Sequence, residues 1–210
     1  MQKITDIYED YTVMPNLQDH QIRVAAVAKQ IAESMTIPVD TESIIAACLL
    51  HDMANIVKAN LSYFPEFTNE KGLEFWQNIQ NEFIEKYGED DHEATRTLTH
   101  AMNLPERIQK LLDTCLDHAV KENIASFDLD SSICKYADTR VGPHGTMPLR
   151  TRLEEWQNRD ARVSKEYMEA TYATFAAVEE KIFAHSSIKP EDITDESVKN
   201  FIEDLKNFEI

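Results

Sequence analysis

Apolar positions along this 210-residue chain recur at helical spacing, and the chain reads as helices throughout. Residues 18–36 carry Ile22, Ala26, Ile31 and Met35 as one stripe, which Pro38 and Asp40 break. Asp40 or Thr41 can then cap a second helix over 41–53. Its positions from Ile44 to Leu50 are all apolar, so it is expected to be the central buried helix. Asn55 to Asn69 shows no period and contains Pro65, which predicts an irregular loop over the site. A helix over 70–87 stops at Gly88. The acidic cluster Glu89-Asp90-Asp91 opens another over 91–102, where negative charge suits the start of a helix dipole. Pro105 begins a helix over 105–121, and a further one over 130–140 ends before Gly142-Pro143-His144-Gly145. Residues 149–185 lack glycine and proline, with a bend expected at Gln157-Asn158-Arg159-Asp160. Their second half sets Tyr167, Thr171, Phe175, Val178 and Ile182 on one face, and a last amphipathic helix fits 191–207.

Composition sharpens this picture. Four glycines and seven prolines are too few for a strand-and-turn architecture, so the class is all-α. The length suits a single domain, and no repeat or linker divides the chain. No apolar run is long enough to span a bilayer, and Met1-Gln2-Lys3-Ile4-Thr5-Asp6 lacks a signal-peptide core. Cys48, Cys115 and Cys134 are odd in number and sit in apolar helical contexts, which reads as reduced thiols in a cytoplasmic protein. The net charge of −17 argues against duplex nucleic acid as a partner, because phosphate backbones are held by basic patches. A small phosphorylated substrate is still compatible, since metal ions and a few arginines can make one pocket positive inside an acidic protein.

The chemistry centres on His51-Asp52, which ends the run Ile44-Ile45-Ala46-Ala47-Cys48-Leu49-Leu50. Charge at the end of a buried helix must be paired or bound to metal, and imidazole beside carboxylate makes good divalent-cation ligands. Other candidate ligands follow in a definite order: His20 upstream, then His92, His118 and, in Tyr136-Ala137-Asp138, Asp138. Any one of these histidines alone would more often be an ordinary core or surface residue. The ordered set carries the reading.

That order resembles the HD-domain metal-dependent phosphohydrolase superfamily in its six-ligand, two-metal version, over His20 to Arg140. Leu-Leu-His-Asp and Tyr-Ala-Asp are the most specific phrases. The resemblance implies an HD-like helical bundle with its core at about 18–141 and a C-terminal helical extension at about 148–207. It implies one or two divalent metal ions. Four imidazoles with two carboxylates favour Fe or Mn, with Co, Ni, Zn or Mg also compatible. Asp52 would bridge, with His20, His51 and Asp138 completing one site and His92 and His118 serving the second. The activity expected is hydrolysis of a phosphate ester or anhydride, foremost a nucleotide, by metal-activated water.

Phosphate needs fixed positive charge, for which Arg23, one turn beyond His20, and Arg140, two positions after Asp138, are the leading candidates. Lys58 is a weaker one. Arg150 and Arg152 could add a second basic contact, although Glu154 and Glu155 can satisfy them. His100 rivals for the second-metal position, His144 reads as a turn residue and His185 as surface. Several relatives carry lysine three positions after the motif aspartate; this chain has Asn55 there, and neither a GYP signature nor the paired acidic motif of guanosine tetraphosphate hydrolases. The competing readings are a mixed-valent di-iron oxygenase like myo-inositol oxygenase, which shares the six-ligand order, and a non-catalytic ligand-binding regulatory module. A homodimer is compatible with all three.

Overall fold

The apolar segment after Asp40 becomes α3 (Thr41–Leu50) and lies at the centre of the fold. The Asp40 carboxylate accepts the Ser43 amide at 3.1 Å, which satisfies one of the donors left open at a helix start. Every residue from Ser43 to Leu50 is buried. Each Ile or Leu there contributes about 1.5–3 kcal/mol relative to exposure, so the helix is held by packing on all sides.

The computed structural model describes residues 2–116, 128–160 and 163–210. Within them the remaining helices are α1 (Ile4–Asp10), α2 (Pro15–Ser34), α4 (Leu73–Tyr87), α5 (Asp91–Ala101), α6 (Glu106–Cys115), α7 (Leu129–Thr139), α8 (Leu149–Arg159), α9 (Lys165–Phe183) and α10 (Asp195–Lys206). Helix α3 packs against α2, α6 and α7. Helix α10 covers another face of α2, and α9 packs on α7 and α8. The fold is all-α. The one sheet among the described residues is a hairpin of β1 (Val141–Gly142) and β2 (Gly145–Thr146), formed where the Gly-Pro-His-Gly turn is expected.

Most predicted helices are present within a few residues, and the differences have local causes. Residues 55–69 hold two short 3-10 turns, Asn55–Lys58 and Pro65–Phe67, in place of a loop without structure. The long C-terminal stretch divides at Asp160, and Ser164 caps α9 by accepting the Tyr167 amide at 3.1 Å. The buried face of α9 is Met168, Thr171, Val178 and Ile182, whereas Tyr167 is 46 % exposed. Helix α1 has no counterpart in the expectations. It is too short for a clear period, yet it buries Ile4, Ile7 and Tyr8, and the Tyr8 hydroxyl donates to the Leu49 carbonyl at 2.6 Å. The two ends of the chain pair antiparallel: the Gln2 and Ile210 amides each donate to the other's carbonyl at 3.0 Å. The end of the helix predicted over 105–121, with His118, lies outside the described residues.

Candidate metal centre

Helix α3 stops at Leu50, and the turn that follows holds His51 and Asp52. The His51 Nδ1–H donates to the Cys48 carbonyl at 2.8 Å. In the neutral ring this leaves Nε2 with a lone pair, and Nε2 is buried without any hydrogen-bond partner. An orphaned buried nitrogen is costly unless something binds it.

Three separate helices deliver the groups around that nitrogen. His20 comes from α2, and Asp138 from the last turn of α7. Asp138 Oδ1 lies 3.3 Å from His20 Nε2 and 3.4 Å from His51 Nε2. Asp52 Oδ2 lies 3.6 and 3.8 Å from the same two nitrogens. The ligand atoms of His20, His51 and Asp52 fall within 4.8 Å of one another. Ligands sharing one ion at about 2.1 Å are separated by roughly 3–3.5 Å, so this spacing fits a common divalent ion. The charge balance fits as well. Burial lowers the His51 pKa, but Asp52 and Asp138 outweigh it and raise it to about 10. Burial alone would raise both carboxylates. The two imidazoles instead pull Asp138 well below the usual range, and with Lys58 they lower Asp52. Two ionised carboxylates thus flank the two imidazoles, negative charge that a divalent ion held by the imidazole nitrogens would balance.

The turn is held by Gln21 and Thr95, which carried no signal of their own in the sequence, and by Asn55, with Lys58 close by. The buried Gln21 accepts the Asp52 amide through Oε1 at 3.2 Å, and Thr95 Oγ1 accepts the Ala54 amide at 3.1 Å. Asn55, where relatives carry lysine, donates to Asp52 Oδ2 at 2.6 Å. Lys58 lies one 3-10 turn further on and its Nζ binds Asp91 Oδ2 at 2.5 Å. Burial opposes its charge, but Asp52 and Asp91 more than restore it, so its pKa is raised and it stays a cation.

A cavity of about 710 Å³ opens over these ligands. His20, Asp52, His92 and Asp138 line it. His92 stands at the start of α5, and its Nδ1–H donates to the Leu116 carbonyl at 2.8 Å, as His51 does to Cys48. Its Nε2 is 3.6 Å from Asp91 Oδ2. His118, expected beside it, is outside the described residues. The far wall of the cavity is aromatic and cationic: Tyr63, Phe64, Phe67, Arg152, Trp156 and Arg159, with Asp160 at its end.

Neither arginine expected to hold phosphate lines this cavity. Arg23 points to α10 and binds Asp195 Oδ1 at 3.0 Å. Arg140 is 2 % exposed, and its donors are consumed by Tyr136 Oη and the carbonyls of Met147, Pro190 and Ile193. It is a buttress tying α7 to the chain before α10. Arg150 turns outward to Glu154 and Glu169. His100 pairs with Asp113 at 3.2 Å and lines a different cavity. His185 is exposed. His144 sits in the hairpin turn, its ring centroid 5.3 Å from Phe64 and 5.9 Å from Phe67.

No helix among the described residues is long and apolar enough to cross a membrane. No curated protein and no solved structure showed a significant match to the chain. A family model for the HD domain matches residues 17–140, from just before His20 to just past Asp138. With more than half of its length matched and His51-Asp52 at the heart of the site, the chain belongs to the HD-domain family, most of whose members are metal-dependent hydrolases.

Proposed function

We propose that the protein is a metal-dependent phosphohydrolase cleaving a phosphate ester or anhydride, with a nucleotide the leading substrate class. The observation that carries this reading is the convergence of Asp52 and Asp138 on two imidazole nitrogens, one of them buried and unpartnered, at the floor of a cavity with cationic walls. His20, His51, Asp52 and Asp138 would hold one divalent ion, and His92 with His118 a second, with Fe or Mn suiting the ligand set. A bound ion would lower the pKa of a water and offset phosphoryl charge.

The chain's own groups do the rest. The carbonyls of Cys48 and Leu116 fix the ring orientation of His51 and His92, leaving Nε2 of His51 beside Asp52 and Asp138. Gln21 and Asn55 hold Asp52 in place. Lys58 keeps a positive charge in the cavity lining, where the charges of Asp52 and Asp91 sustain it. The aromatic residues at the rim offer stacking surface to a planar group such as a nucleobase.

The test is phosphate release from a panel of nucleotides, phosphomonoesters and anhydrides with Mn²⁺, comparing wild type with Asp52→Ala. Release by the wild type that Asp52→Ala abolishes is the expected result. Absence of release from a protein with metal demonstrably bound, together with metal-dependent oxygen uptake, would replace this reading with the oxygenase one.

A further inference from the structure

Helix α8 lies beyond the family match, which ends at residue 140, yet it builds one wall of the cavity. Arg152, Trp156 and Arg159 are spaced i, i+4 and i+7, which puts them on one helix face, and all three line the cavity. Both guanidiniums are presented by the same carboxylate. Glu155 Oε2 accepts from Arg152 Nη1 at 2.8 Å, and Glu155 Oε1 from Arg159 Nε at 2.9 Å. Arg152 is pinned further by its Nε, which donates to the Val141 carbonyl at 2.8 Å. Its stem runs past Gly142, where an added Cβ would lie 3.4 Å from Arg152 Cδ.

Two things together separate these arginines from the others: they line the cavity, and unlike Arg140 they keep several donors unspent. A guanidinium has five N–H donors. Arg140 spends its donors on protein oxygens. Arg152 leaves Nη2, and Arg159 both terminal nitrogens, without a protein acceptor among the described residues. These nitrogens belong to side chains that are 18 % and 31 % exposed, and what exposes them is the cavity. Arg152 is the one near the metal floor, where the Asp138 charge acts on it. Arg159 lies two turns further out, and Asp160 ends the stripe with a negative charge. Lys58 already faces the floor from the opposite side. One phosphoryl group at the floor would leave the terminal nitrogens of Arg159 unused.

We infer that Arg152 and Arg159 form a clamp for a second phosphoryl group, so that this chain takes substrates bearing a diphosphate or an equivalent second anion next to the reacting one. The inference rests on the phosphohydrolase reading for the reaction, but the clamp itself consists of protein side chains and needs no metal to be measured.

The experiment titrates pyrophosphate and orthophosphate into EDTA-treated full-length protein by calorimetry, with Trp156 fluorescence as a second readout. Wild type should bind pyrophosphate and orthophosphate through the clamp. Arg152→Gln and Arg159→Gln should each weaken pyrophosphate about tenfold, the size expected for losing a charge-assisted contact. Arg159→Lys should recover part of the loss, and unchanged circular dichroism would exclude misfolding. Absence of pyrophosphate binding, or pyrophosphate binding indifferent to both arginines, overturns the clamp. A parallel Mn²⁺ titration of wild type and Asp52→Ala separates the two readings. Asp52-dependent Mn²⁺ binding without an arginine-dependent anion site sinks the clamp alone. An arginine-dependent anion site without Asp52-dependent Mn²⁺ binding sinks the metal chemistry alone.

Discussion

The floor and the rim of the cavity are built in opposite ways. The floor groups stand on α2, α3 and α7, helices that pack against one another in the hydrophobic core, and each is positioned by neighbours that do nothing else. The rim comes from the 3-10 turns after Asp52, the β1–β2 hairpin and α8, and its side chains meet each other through ring contacts and a shared carboxylate. Two arginines downstream of Asp138 show the same division. Arg140 is immersed and makes four hydrogen bonds to protein oxygens, while Arg152, twelve residues on, lines the cavity with donors unspent. Proximity to a ligand in sequence therefore says little about which guanidinium meets the substrate. Cavity lining together with unspent donors says more.

Four substitutions can break or sharpen this contrast. The largest effect is expected from Asp138→Ala on the floor: Mn²⁺-dependent turnover should fall about a thousandfold, because several kcal/mol of charge stabilisation is lost at about 1.4 kcal/mol per decade. Calorimetric Mn²⁺ stoichiometry should fall with it, and retention of full stoichiometry would remove Asp138 from the ligand set. Arg140→Met should cost about 3 kcal/mol of stability in urea unfolding, since one hydroxyl and three buried carbonyls lose their donor. Its folded fraction should keep the wild-type KM, and a raised KM with unchanged stability would return Arg140 to the substrate. Gln21→Leu should weaken Mn²⁺ affinity by about 10–100-fold, as losses behind metal ligands do, with little change in the pH profile.

The smallest effect is at Asp128, which caps α7 through the Ser131 amide at 2.8 Å and binds Arg107 at 2.8 Å. Partial burial raises its pKa, but the Ser131 hydrogen bonds and Arg107 outweigh this and bring it to about 2. The folded value lies below the ordinary aspartate value of 3.8, so the stabilisation is complete above that value and is lost as pH falls towards 2. Asp128→Asn keeps a capping oxygen and should flatten the stability curve between pH 4 and 2. An unchanged slope would assign the acid sensitivity elsewhere.

What the sequence made legible follows this division as well. Helices with a clear stripe or a fully apolar run can be read because burial imposes the period, and His51-Asp52 because a helix end carries a polar pair only where something compensates it. His20 and Asp138 are legible only through the ligand order that resembles the HD-domain family. The rim resists such reading. Whether Arg23 faces the cavity or Asp195 depends on α10, which lies 172 residues away in sequence. Arg152 reads as satisfied by Glu154 and Glu155, and Glu155 does bind it, but only in part, while Arg159 reads only as part of a bend. Their spacing with Trp156 on one face was the available signal. Gln21 gave none, because its role depends on the Asp52 amide 31 residues away.

The antiparallel pairing of Gln2 with Ile210 has a practical consequence. Residues 2 and 210 already meet, and neither lines the cavity, so a short peptide linker could join them into a closed loop. Reopening that loop at the exposed Gly88–Asp90 turn would give a permuted chain in which α5, carrying His92, comes first and α3, with His51 and Asp52 behind it, comes later. Each helix would keep its neighbours while the order of synthesis was reversed, which makes the order in which floor and rim assemble a variable that can be set by design.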